Sequence, residues 1–183
     1  MKSLRSILVA FFTGAAASAA DQPKPAPKPP AEMMRELRMQ WLTRKPTPES
    51  PAQKEEIAAV LMDWPIEETT VTILASSVGD ASVYTTGTFG IIGGIGHENA
   101  REAALAFIEC AKKHVSLASL TTDISYPDYQ HVRFFFVMDS GVRSVSFPAH
   151  DVQNKDTEAY DLYVHGQAVL TEMRQITQQQ RGY

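Results

Sequence analysis

Five of the ten glycines in this 183-residue chain, Gly87, Gly90, Gly93, Gly94 and Gly96, fall in one stretch just before a strongly helical segment that opens near His97. Backbone amides at the end of such a loop sit beside the positive end of a helix dipole, an arrangement that cradles anions. Gly93, Gly94, Gly96 and His97 are therefore candidate ligand-binding residues for a small anion or carboxylate, with Arg101, one turn on, as a second clamp. Nucleotide chemistry is not supported. Gly94-Ile95-Gly96-His97-Glu98-Asn99 lacks the third glycine of a dinucleotide fingerprint, and no Gly-Lys-Ser/Thr follows. The competing reading is packing, in which the glycines let the apolar segment Phe89-Gly90-Ile91-Ile92 cross tightly over a sheet. A protein-contact loop is a third.

No other residues form a catalytic set. His97 and Glu98 are adjacent, so on a helix they point about 100° apart and make a poor acid–base pair; Glu98 fits better as a first-turn acid opposite the dipole. His114, His131, His150 and His165 lack metal-ligand spacing, and the single cysteine, Cys110, reads as a small buried hydrophobe. No nucleophile-elbow motif is present, so an enzyme would need a hydrolase site assembled from dispersed Glu and His. No metal and no cofactor is expected. Asp123 and Asp128 bracket a Tyr-Pro loop and read as solvated acids, while Arg133 and Arg143 flank an Asp139-Ser140-Gly141 turn that could place them near one another on one sheet face around a ligand or carboxylate; the preferred reading is two solvated edge arginines paired with nearby acids.

The elements that must position these residues begin after an export signal. Lys2 and Arg5, the apolar run 7–12 and the small residues 15–20 make residues 1–20 a secretory signal peptide, with an uncleaved N-terminal anchor as the rival reading. No later run has the roughly 18 apolar residues of a stable membrane span. Residues 21–31 read as a Pro-rich linker. Removing Lys2 and Arg5 takes the formal charge from −4 to −6, against a nucleic-acid partner. About 160 residues remain, which suits one domain.

Within it, residues 32–45 predict a basic amphipathic helix, with Met34, Leu37 and Trp41 on one face and Arg35, Arg38 and Arg44 around it. Residues 50–176 form a single α+β domain, and residues 177–183 a flexible tail that frays from about Gln175. Ser50-Pro51-Ala52-Gln53 carries the signals of a helix start, with Ile57, Val60, Leu61 and Trp64 as its inward stripe. Residues 69–76 and 81–86 read as a hairpin, residues 97–115 as a helix with an Ala-rich apolar face, and residues 131–138 and 142–147 as a second, central hairpin. A short strand near 120–125 and a last helix capped by Asp156 complete an antiparallel sheet of about five strands, in the order α-ββ-α-βββ-α, plus the extra N-terminal helix.

That element order resembles the roadblock/dynein light chain domain, a profilin-like fold. The string Thr86-Gly87 through Ile91-Ile92-Gly93-Gly94, His97-Glu98, Ala103-Ala104, Thr121-Thr122-Asp123 and Val132-Arg133-Phe134 is also similar to an uncharacterised group of bacterial exported proteins. The roadblock resemblance implies the fold of a homodimeric scaffold, and of its properties only fold and dimerisation carry over to an exported chain. The expectation is an exported, periplasmic or secreted, non-enzymatic binding or scaffolding domain. It would self-associate through a sheet edge or the Ala-rich helix and meet an unknown protein partner in the cell envelope.

Overall fold

Ile57-Ala58-Ala59-Val60-Leu61-Met62 satisfies a helical stripe only because nearly every residue in it is apolar, and dense apolar runs satisfy any period. In the computed structural model, which describes residues 28–44 and 56–180, this run is a strand, β1 (Ile57–Ile66), near the middle of the sheet. Its alternate side chains are buried on opposite faces, Val60 and Met62 in one apolar cluster and Ala59 and Leu61 in another. A strand covered on both faces carries no polar alternation. The helix-start signal at Ser50 and the signal peptide, 1–20, lie outside the described residues, as does most of the linker.

β1 turns at Glu67-Glu68 into β2 (Thr69–Ser76), which pairs with β3 (Ala81–Thr85), then with the two-residue β4 (Gly90–Ile91). After α2 (Glu98–His114) come the two-residue β5 (Ser119–Leu120), β6 (His131–Met138) and β7 (Gly141–Pro148). The result is α+β, an antiparallel sheet of seven strands rather than about five, in the order β4-β3-β2-β1-β6-β7-β5. The central position expected for the second hairpin holds for β6, whose Phe134, Phe135 and Phe136 are fully buried; β7 is only half-buried, with Ser146 exposed.

Helices cover both faces. α2 and α3 (Glu158–Gln180) pack on the side of Val60, Met62, Ile73, Val83, Phe134 and Phe136. Gly166 lets α3 approach β1, since a Cβ there would meet the Met62 methyl at 2.6 Å. α2 follows expectation, with Ala100, Ala104, Phe107, Ile108 and Ala111 inward. α3 begins after Thr157, one residue beyond the expected cap, and does not fray at Gln175: Ile176 is buried against the core and the helix runs to Gln180. The expected tail at 177–183 is thus helical as far as it is described.

α1 (Pro30–Leu42) lies on the other face and takes Pro30, assigned to the linker, as its first helical residue. Its buried positions are Met34, Arg38 and Leu42, so Arg38, expected at the polar margin, occupies the middle of the inward stripe. The reason is Asp63 on β1. Arg38 Nε and NH2 donate to Asp63 Oδ2 at 3.1 and 2.5 Å, Arg38 NH1 donates to the Ile124 carbonyl at 2.9 Å, and Thr72 Oγ1 donates to Asp63 Oδ1 at 2.6 Å. The guanidinium lies 4.2 Å from the Tyr126 ring centroid and 5.2 Å from that of Phe135. Burial holds the Asp63 carboxyl above its ordinary value, against the downward pull of Arg38 and Thr72.

The 121–130 loop closes over this pair and is fastened by Arg133. Arg133 does not meet Arg143: the register sets Arg133 opposite Asp63 and Arg143 opposite Phe136, on opposite faces of the sheet. Arg133 NH1 donates to Asp123 Oδ2 at 2.9 Å and NH2 to the Asp123 carbonyl and to Ser144 Oγ, while Arg143 donates to the Ala118 carbonyl. Asp123 also accepts from the Ser125 amide and hydroxyl at 3.0 and 2.6 Å, and the hydroxyl, the amide and then Arg133 hold its carboxyl well below the usual range. A lowered native value stabilises fully above the unfolded value, near 3.8, and loses that contribution only as pH falls through the native one. An NMR titration is therefore expected to find Asp123 still ionised when other exposed carboxylates have taken up protons. A midpoint in the ordinary range would show that the turn does not hold it.

Candidate functional site

The glycine-rich stretch is a strap around one edge of the sheet. It leaves β3, pairs briefly as β4, makes a 3-10 turn at Gly94–Gly96 and enters α2. Two of its glycines mark where a helical layer presses on it. A Cβ at Gly90 would collide with the Met34 thioether of α1, and one at Gly94 would lie 2.6 Å from Met173 Sδ of α3 and 2.9 Å from the Ala81 carbonyl oxygen. Gly93 turns the strap in the left-handed region, φ 91°, with open space where a Cβ would stand, and Gly96 is also open. The strap thus passes from the α1 side of the sheet to the α3 side, gripped by a methionine from each.

The proposed anion cradle meets two obstacles in this geometry. The Gly96 amide donates to the Gly93 carbonyl at 3.5 Å and the His97 amide to the Gly94 carbonyl at 3.0 Å, so two of the amides singled out from the sequence close the 3-10 turn. Arg101 turns away: its stem covers Gly79 in the β2–β3 turn, where a Cβ would be 2.6 Å from Arg101 Cγ. Gly96 and His97 do line a groove of about 250 Å³ between the start of α2 and the end of α3, together with Glu98, Asn99, Glu172, Gln175 and Gln179. Two carboxylates on that groove oppose an anion. It gathers His97, Glu98 and Glu172, the groups an acid–base site needs, yet no hydrogen bond or ion pair joins these three among the described residues.

The remaining candidates are spent locally. His131 Nδ1 contacts Asp128 at 2.7 Å within one turn, which holds the Asp128 carboxyl low, and His150 and His114 face Asp151 and Asp161 on separate elements. Cys110 is buried, and burial raises its thiol to about 11, so it behaves as a core side chain.

What the residue types did not announce is the outer side of the strap. Phe89, Ile92 and Ile95 alternate with the glycines and stay 44%, 54% and 51% exposed. Their recurrence at every third position was legible in the sequence, though not its direction, because that depends on Met34 and Met173 taking up the inner side. Comparison with known proteins finds no matching family, no similar curated protein and no similar solved structure.

Proposed function

We propose that the chain is an exported, non-enzymatic binding module that self-associates at the β4 edge of its sheet. The observation that carries this is the exposed row Phe89, Ile92 and Ile95 on a strap held from behind by two methionines. Large apolar side chains scattered singly are ordinary on a surface, but three within seven residues beside a sheet edge form a contact patch. This reading favours the sheet edge over the Ala-rich helix because Ala100, Ala104 and Ala111 of α2 are wholly covered by the chain's own core. The roadblock resemblance contributes only the precedent of pairing between copies.

Covering the remaining exposed parts of these three side chains contributes about 1 kcal/mol each. Association costs upwards of ~4 kcal/mol in lost freedom, so backbone pairing along β4 must add to it and the dimer is weak. Sedimentation of the intact chain from micromolar to millimolar concentration is expected to show a monomer–dimer equilibrium. Ile92→Asp with Ile95→Asp should leave a monomer of unchanged thermal stability. A wild-type chain that stays monomeric throughout, or a dimer indifferent to the double substitution, would overturn the proposal.

A further inference from the structure

On the α3 side of the sheet, where the helix runs past the ends of β1, β2 and β3, lies a cavity of about 280 Å³. Trp64, Val71, Val83 and Leu170 line it, with Ile66 and Phe89 reaching solvent. The lining is set in advance: Tyr163 holds Trp64 edge-on at 5.7 Å, and Thr85 Oγ1 donates to the Phe89 carbonyl at 2.5 Å.

Two polar side chains of α3 break this apolar wall. Gln167 has its amide nitrogen buried without a partner, and Arg174 is exposed with no hydrogen bond or ion pair among the described residues. Even Glu67 and Glu68, at the turn that follows Ile66, form no ion pair with Arg174. Seven residues separate Gln167 from Arg174, about 10.5 Å along the helix. A cavity with apolar walls, a cation and, about two helical turns away, an unmatched donor calls for a ligand that is apolar along most of its length, anionic at one end and able to present one acceptor in between. A wholly apolar ligand leaves Arg174 without a role, and inorganic phosphate leaves the lining without one. A volume of about 280 Å³ suits a short chain rather than a membrane lipid.

We propose that this cavity binds a free medium-chain carboxylic acid. The chain lies among Trp64, Val71, Val83 and Leu170, the carboxylate meets Arg174, and the Gln167 amide, rotated into the cavity, donates to a carbonyl oxygen borne by the chain. The site goes beyond the self-association reading and shares Phe89 with it, but neither Ile92 nor Ile95, the residues that the association test changes, so either proposal can fail alone.

Calorimetric titration of the intact chain, paired with tryptophan fluorescence, tests it with octanoate, 7-oxooctanoate, octanol, acetate and phosphate. Octanoate is expected to saturate a single site and quench Trp64, octanol to bind more weakly, and acetate and phosphate not to bind. Arg174→Gln, on an exposed side chain, should weaken octanoate about tenfold and leave octanol unchanged, the loss of one charge-assisted contact. 7-Oxooctanoate should bind several-fold tighter than octanoate, a gain that Gln167→Leu removes. Val71→Phe should fill the cavity and abolish both octanoate and octanol binding; should that variant fail to fold, loss of the quench in Trp64→Phe locates the ligand instead. Absence of saturable octanoate binding, or binding that ignores both Arg174→Gln and the cavity substitutions, overturns the proposal. Equal affinity for the two acids overturns the part assigned to Gln167.

Discussion

Asp63→Ala is expected to destabilise the chain by about 3–5 kcal/mol, the cost of leaving a buried ion without its partner. Arg38 is 1% exposed and directs three of its nitrogens inward, two to Asp63 and one to the Ile124 carbonyl, between the Tyr126 and Phe135 rings. Removing the carboxylate strands that charge. The chain can respond by keeping Arg38 buried and unpaired, or by releasing α1 to water. Release forfeits the burial of Met34 and Leu42, about 1.5–3 kcal/mol each, so neither route is cheap. Arg38→Met with Asp63→Leu should recover most of the loss, because an apolar pair of similar volume has no charge to desolvate. Denaturant midpoints of the wild type, Arg38→Met, Asp63→Leu and the double variant form the cycle that measures the pairing, with Asp63→Ala measured beside it. A loss below about 1 kcal/mol for Asp63→Ala would mean that α1 is not latched to the sheet.

This pair also marks where sequence reading stops. α2 was legible throughout, since its apolar face has a single period, and both hairpins announced themselves through β-branched residues around short turns. Arg38 read as a surface residue because a lone arginine beside an apolar stripe is ordinarily solvated. Only Asp63, 25 residues away on a run that itself read as helix, draws it inward. The two errors share one cause: β1 is covered on both faces, by α1 on one and by α2 and α3 on the other, so its pattern encodes tertiary surroundings rather than its own period. At the candidate site the sequence marked the glycine-rich segment. It could not say which glycines turn and which pack, since Gly90 and Gly94 are fixed by Met34 and Met173, remote in the chain.

Gly94→Val is expected to cost about 3 kcal/mol, at the upper end for overpacking, and to lower the thermal midpoint by roughly 10 °C. Met173 Sδ is the end of a flexible side chain and can withdraw, but Ala81 cannot: its Cβ and carbonyl oxygen would stand 2.8 and 2.9 Å from the new carbon, and both belong to β3. Gly96→Val makes the contrast. Nothing lies within 4 Å of its Cβ position and no positive φ constrains it, so its effect should stay within about 0.5 kcal/mol. Gly93→Val falls between, since its space is open but φ 91° costs a branched residue about 1–2 kcal/mol. An anion cradle would make the opposite demand, with stability indifferent to all three and ligand binding lost at each. Thermal melts of the three variants therefore separate packing from binding without any ligand being known. An undisturbed Gly94→Val would free the strap from Met173 and Ala81 and return the glycines to the cradle reading.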